Sequence, residues 1–114
     1  PQPIAELDTV YFDYDRAVVR DDMKDALRAN AEKILENPGW GDVIVEGHCD
    51  ERGSEEYNFA LGERRAATVK KYLVALGVPS NRLETVSFGE TQPNTSGHDE
   101  ASWSRNRRAE FRSK

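Results

Sequence analysis

The sequence predicts an α/β fold: a two-layer sandwich in which two long helices pack on one face of a small mixed sheet. Three observations predict it. Two segments carry apolar residues at helical spacing, within residues 19–34 and 57–76. Four short runs are rich in β-branched and aromatic residues. Breaks bearing glycine, proline or asparagine separate them, so the order reads β-α-β-α-β, then a loop and a last β.

Each element has its own justification. The first eight residues, 1–8, hold Pro1 and Pro3 and read as an N-terminal extended arm; residues 9–114 read as one domain. Thr9 to Tyr14 is β-branched and aromatic and reads as a strand, which Asp15 and Arg16 leave. Val19, Met23, Ala26, Leu27, Asn30 and Ile34 then recur at helical spacing until Asn37-Pro38-Gly39 stops the helix near Glu36. Val43-Ile44-Val45, within Asp42 to Cys49, is the second strand. Ser54 is a natural N-cap, and Glu55 and Glu56 suit the positive end of the helix dipole that follows. Tyr57, Leu61, Val69, Tyr72, Leu73 and Leu76 make the apolar stripe of that helix, and Gly77 ends it. Leu83 to Phe88 is the third strand. Gly89 to Ser104 is loop-rich with a short helical turn near Asp99 to Trp103, and Ala109-Glu110-Phe111 is the last strand.

Composition excludes several function classes. No apolar run reaches the roughly 20 residues of a membrane-spanning helix, and Pro1 to Ile4 lacks the basic head and apolar stretch of a secretory leader. The net charge of −5 argues against long-range attraction to nucleic acid or anionic lipid, so a bound anion must be met by a local site. One cysteine leaves no internal disulfide framework and no cysteine-clustered zinc site.

Arg65 is the residue that breaks the pattern, because it lies inside an otherwise apolar helical stripe. A guanidinium there requires a partner. One reading is a structural salt bridge to a carboxylate such as Asp50; the other is a pocket that leaves Arg65 open to grip a ligand carboxylate. Asp50 ends the second strand, a common position for ligand sites in α/β folds, and Asp13 and Asp15 end the first. Carboxylates beside one arginine suit a zwitterion, ammonium to aspartate and carboxylate to arginine. Strand alternation places His48 and Asp50 on one face and Cys49 on the other, which argues against a thiol–imidazole pair and for Cys49 as a small buried hydrophobe. A metal set of His48, Asp50 and His98 matches no established ligand spacing, so no metal or cofactor is expected. The basic run Arg105 to Arg108 invites a nucleic-acid reading that the acidic total opposes; alternation would send one arginine toward the carboxylates. Asn58, in the first turn of the second helix, is either a local hydrogen-bonding residue or a ligand contact.

Val45 to Ala66 (VEGHCDERGSEEYNFALGERRA) closely resembles the signature of the OmpA-like domain family, in the form of its peptidoglycan-associated lipoprotein branch. Tyr11 to Asp15 resembles the first strand of that family and Ser87 to Pro93 the stretch after its third. Gly97 to Ala101, with Arg105 to Ala109, resembles its C-terminal motif. The resemblance runs from residue 9 to about 111.

It implies a non-catalytic module that binds peptidoglycan non-covalently through the diaminopimelate of the stem peptide. Such a module tethers the outer membrane to the wall as part of the Tol–Pal system. The family's pocket aspartate falls on Asp50, its helix arginine on Arg65 and its loop aspartate on Asp15. Asn58 and Leu61 match helix positions lining the groove, and Phe12 enters the contact set with the first strand. The alternative is a protein-interaction domain for TolB, with wall binding secondary. The resemblance also implies the periplasmic face of the outer membrane of a Gram-negative bacterium, with membrane attachment only through a lipidated cysteine that this sequence does not include. Cys49 departs from the small or threonine-like residue usual at its position.

Overall fold

The computed structural model describes residues 2–114; Pro1, at the head of the expected arm, lies outside the described residues. The strands are β1 (Gln2–Pro3), β2 (Val10–Tyr11), β3 (Val43–His48), β4 (Leu83–Gly89) and β5 (Arg108–Ser113). The helices are α1 (Lys24–Glu36), α2 (Glu55–Ala75) and α3 (Glu100–Asn106). The sheet runs β1-β5-β3-β4, with β2 also on β5. β3 and β4 are parallel, joined through α2; β5 enters between β3 and the N-terminal strands, antiparallel to all of them.

The mixed α/β class is therefore as the sequence implies. The last strand is longer than Ala109 to Phe111 because β3 supplies a six-residue ladder, Val43 opposite Ser113 through His48 opposite Arg108. The short helical turn is a two-turn helix, α3, capped by the Asp99 side chain accepting from the Ser102 N–H at 2.9 Å. The N-terminal residues are extended and lie on the sheet. Gln2 and Pro3 pair with Ser113 and Arg112, and Ile4 N–H donates to Phe111 O. Val10 and Tyr11 resume the pairing opposite Ala109 and Arg108. Ile4 and Leu7 are buried in the core. The first strand itself is short because Asp13 to Arg16 turn away, with Arg16 N–H donating to Asp13 O.

One core lies between sheet and helices. Val43 and Val45 of β3, Ala109 and Phe111 of β5, and Val10 and Phe12 meet Leu27, Ala31 and Ile34 of α1 and Ala66, Val69 and Leu73 of α2. The buried face of α2 runs through Asn58, Leu61, Gly62, Arg65, Ala66, Val69 and Leu73. The expected stripe began at Tyr57, which is instead exposed: the face is rotated by one residue at its start, and Asn58 takes the inward position. Ser54 caps α2 as expected, its Oγ accepting from Tyr57 N–H at 3.1 Å, and Gly77 closes it at φ 107°. No helix among the described residues is long and apolar enough to cross a membrane.

Candidate functional site

Two glycines set the site. A Cβ on Gly47 would lie 1.8 Å from Gly62 O, so β3 and α2 touch backbone to backbone. Asp50 follows one of these glycines by three residues and Arg65 follows the other by three. The contact therefore brings the strand end and the first turns of the helix to one place. Asp15 arrives from the turn after β2 in the left-handed region, φ 57°, a conformation aspartate tolerates. Together they open on a cavity of about 180 Å³ whose lining includes Asp15, Asp50, Arg52, Asn58, Leu61 and Arg65. That is below the roughly 300–1,000 Å³ of pockets for drug-sized ligands and suits the end group of a larger molecule.

Arg65 is 0% exposed, yet among the described residues it forms no salt bridge. Its Nε donates to Arg16 O at 2.8 Å, Nη1 to His48 O at 2.8 Å and Nη2 to Asp13 O at 3.2 Å, while its guanidinium carbon lies 5.3 Å from the centre of the Phe12 ring. A guanidinium has five N–H donors, so two remain beyond these carbonyl bonds. Burial pushes its pKa down, opposed by the negative groups around it, Asp50 and Asp15 among them. Of the two readings of Arg65, the structural bridge to Asp50 is not formed. What the fold presents is a buried cation fixed by neutral oxygens beside a cavity, an arrangement that favours an incoming carboxylate.

Asp50 has a different partner. Arg52 donates to it from its backbone N–H at 3.0 Å, from Nε at 3.1 Å and from Nη2 at 2.9 Å. Buried Arg107 stands behind, its Nη1 3.7 Å from Asp50 Oδ2, with Nη2 on Glu100 and Nε on Phe12 O. Arg52 packs against the rings of Tyr14 and Trp103, 3.9 and 4.1 Å from their centres. Arg107 is thus the member of the basic run that reaches the carboxylates. It does so from the C-terminal end of α3 rather than by strand alternation, because Arg105 and Asn106 are helical. Arg108 turns to Glu110 and Gln92 O.

The other expected residues divide. Asp15 is exposed and accepts from the Tyr57 hydroxyl, which makes it the carboxylate most open to a new cation. Leu61 is an apolar part of the lining. Asn58 lines the cavity but commits its NH₂ to Asp50 O, Arg52 O and Glu90 Oε1, so it fastens the β3–α2 loop and offers a ligand only its Oδ1. Phe12 does not line the cavity: it is 0% exposed in the core, a floor under Arg65 and not a contact surface. Sequence reasoning missed Tyr14, Arg52 and Tyr57. Their signal was present, since Tyr14 and Tyr57 each neighbour a chosen site residue in the chain, but exposed aromatics carry no periodicity.

Cys49 lies on the helix side and donates to Asn58 O at 3.1 Å, as expected of a small buried side chain. Strand alternation breaks down one residue later. The ladder ends at His48 after an irregularity at Gly47/His48, and Asp50 turns into the same cavity that Cys49 lines. His48 sits instead with Glu46, and His98 with Glu51, so the three considered metal ligands do not converge. Burial pushes the Cys49 thiol from 9.0 up to about 11, with Arg65 opposing and Asp50 reinforcing. Alkylation by iodoacetamide at pH 8 is therefore expected to be at least about tenfold slower in the folded chain than in urea. Because the folded pKa lies above the unfolded one, the thiol's contribution to stability is complete below pH 9 and is lost as pH rises through 11. Equal alkylation rates folded and unfolded would refute the burial of this thiol.

Comparison with known proteins places the chain among relatives. Residues 11–107 match the family model described as the OmpA family. The chain is 49% identical over 104 residues to the peptidoglycan-associated lipoprotein of Pseudomonas aeruginosa, covering 91% of this chain and 61% of that protein. It is 45% identical over 102 residues to the protein of the same description from Rhizobium meliloti, covering 90% and 57%. The chain thus spans about three fifths of the length of these relatives. Among solved structures, the peptidoglycan-associated lipoprotein from Burkholderia pseudomallei superposes with a TM-score of 0.85 at 43% identity, covering 90% of this chain and 86% of that one. The C-terminal domain of Helicobacter pylori MotB gives 0.85 at 25% identity, covering 92% and 82%.

Proposed function

Since the chain belongs to the OmpA family, we propose that it binds peptidoglycan non-covalently, without chemistry, through the zwitterionic end of diaminopimelate in the stem peptide. The single observation that carries this reading is Arg65, a buried guanidinium held only by carbonyl oxygens, beside a cavity that also shows Asp15 and Asp50. The ligand carboxylate takes the remaining Arg65 N–H groups. Its ammonium, on the same carbon, meets Asp15 and competes with Arg52 for Asp50. A zwitterion adds no net charge to the cavity, and its ammonium replaces at Asp50 whatever contact it takes from Arg52. The affinity of one site is modest, and many copies on a polymeric wall hold by avidity. Peptidoglycan is also what the names of the lipoprotein relatives point to. Full-length relatives of this description come from Gram-negative bacteria, which supports placement at the periplasmic face of the outer membrane, through a lipid anchor outside these residues.

The test is an NMR titration of the ¹⁵N-labelled chain with a diaminopimelate muropeptide, beside a lysine-containing control lacking the second carboxylate. Shifts around Asp15, Asp50 and Arg65 with the first peptide only are expected, and Asp50→Asn is expected to weaken binding by at least about tenfold, ~1.4 kcal/mol, without loss of fold. Equal response to both peptides would overturn the zwitterion reading. A second reading, contact with TolB over the same mouth, is favoured by Tyr14 and Tyr57, 56% and 44% exposed beside the cavity. Competition between muropeptide and TolB tests it; simultaneous binding excludes a shared surface.

A further inference from the structure

β4 is the last strand of the sheet: β3 occupies one of its edges and, among the described residues, no strand pairs with the other. An unpaired edge offers free backbone N–H and C=O groups as a template for one more strand. Two grooves follow this edge. One, of about 330 Å³, is lined by Glu55, Glu56, Phe59, Phe88 and Glu90 among others. The second, of about 200 Å³, is lined by Phe59, Glu63, Thr85, Val86 and Ser87. Ser87 Oγ donates to Phe59 O at 2.7 Å, so Ser87 and, two residues away, Thr85 face α2. Val86 and Phe88 alternate to the opposite face, where Phe88 stacks on His48. The second groove touches both sets, and the first joins Phe59 of α2 to Phe88 of the opposite face, so both lie along the edge of the strand and not over one face.

The chemistry of the edge selects its occupant. Phe59 is 51% exposed and Val86 is also exposed, so apolar surface lies open to water between the grooves. Around it stand Glu55, Glu56, Glu63 and Glu90, none of which forms a salt bridge among the described residues. Uncompensated carboxylates around an apolar strip repel an acidic partner and attract a basic one. A second copy of this chain would bring the same four carboxylates against themselves.

We propose that the free edge of β4 binds an extended, lysine- or arginine-bearing segment of a partner protein as an added strand. Backbone bonds to β4 supply the ladder, alternate apolar side chains of the segment seat against Val86 and Phe88 on the face away from α2, and the cations between them point to the α2 side and meet the glutamates. The surface is distinct from the Arg65 cavity, and two hydrogen bonds of 2.8 Å link them, from the Asn58 NH₂ to Glu90 and from the Cys49 N–H to Gly89 O. It stands or falls independently of wall binding.

The probe is the capped peptide KVKVKVK, titrated into the ¹⁵N-labelled chain, with capped EVEVEVE as control. The expected result is amide shifts confined to residues 55–63 and 84–91 with the basic peptide, weakening about tenfold as added salt rises from low to physiological strength. The double variant Glu56→Lys with Glu63→Lys, both on the exposed face of α2, is expected to keep its circular dichroism and lose the shifts. No shifts with KVKVKVK, an equal response to EVEVEVE, shifts centred on Asp15, Asp50 and Arg65, or shifts that grow with protein concentration alone would each overturn the proposal.

Discussion

Gly47→Ala is expected to cost about 4 kcal/mol or more, enough to leave the domain partly or wholly unfolded in water. The added methyl would fall 1.8 Å from Gly62 O and 2.6 Å from Gly62 C. Both atoms are backbone, so no side chain can rotate away, and α2 would have to recede by roughly 1.5 Å to reach ordinary contact. Such a movement breaks core packing along Ala66, Val69 and Leu73, which share that face. Gly62→Ala provides the contrast. Its methyl would meet Ser87 Oγ at 2.2 Å, the end of a side chain, and Gly47 O at 3.0 Å. Gly62→Ala is expected to be destabilising but milder, and partly rescued by Ser87→Gly. Urea denaturation followed by circular dichroism checks the ranking; a Gly47→Ala midpoint within about 0.3 M of the parent would show that the strand–helix contact is not tight. Because the same contact brings Asp50 beside Arg65, any folded fraction of Gly47→Ala is also expected to bind ligand weakly.

How much of this was legible in the sequence depends on whether a feature is local. Ser54, Gly77 and the helix stop after Glu36 are local chemistry, and they hold in the structure. Arg65 was visible as a cation in an apolar stripe, and Asp15, Asp50, Asn58 and Leu61 share its cavity. The bonding within that cavity was not visible. Arg52 is Asp50's partner because Tyr14 and Trp103, 38 and 51 residues away in the chain, hold its guanidinium in place. No spacing rule reports a stack assembled from three separate segments. The placement of Gln2 to Leu7 was hidden for the same reason. Prolines at the start read as an arm, whereas the open side of β5 and the core beneath it give those residues somewhere to pair and bury. Strand alternation misplaced Asp50 relative to His48 because alternation is a property of the ladder, and the ladder stops at His48.

Arg65→Ala is expected to reduce stability by about 3 kcal/mol, lowering Tm by roughly 10–20 °C, as well as removing the ligand's carboxylate grip. Two effects oppose each other. Removing a buried guanidinium recovers its desolvation cost, the same cost that pushes its pKa down. It also frees the carbonyls of Asp13, Arg16 and His48 from their donor and leaves a void the size of a long side chain over Phe12. The loss dominates, because His48 O is deep in the fold and the Asp13 to Arg16 turn has few other ties to α2. A second substitution separates the two roles of this residue. Arg65→Lys keeps the positive charge and can reach one or two carbonyls, yet it cannot form the planar fork that also addresses a carboxylate. It is expected to cost only about 1–2 kcal/mol and still weaken muropeptide binding by more than tenfold. Asp50→Asn, whose carboxylate bonds only Arg52 and faces Arg107, is expected to show the reverse balance: a small change in Tm and a clear loss of binding. Thermal denaturation of the three variants, with and without the diaminopimelate peptide, reads both roles at once. If Arg65→Ala melts within about 2 °C of the parent, the carbonyl cradle does not hold the loop, and Arg65 serves the cavity alone.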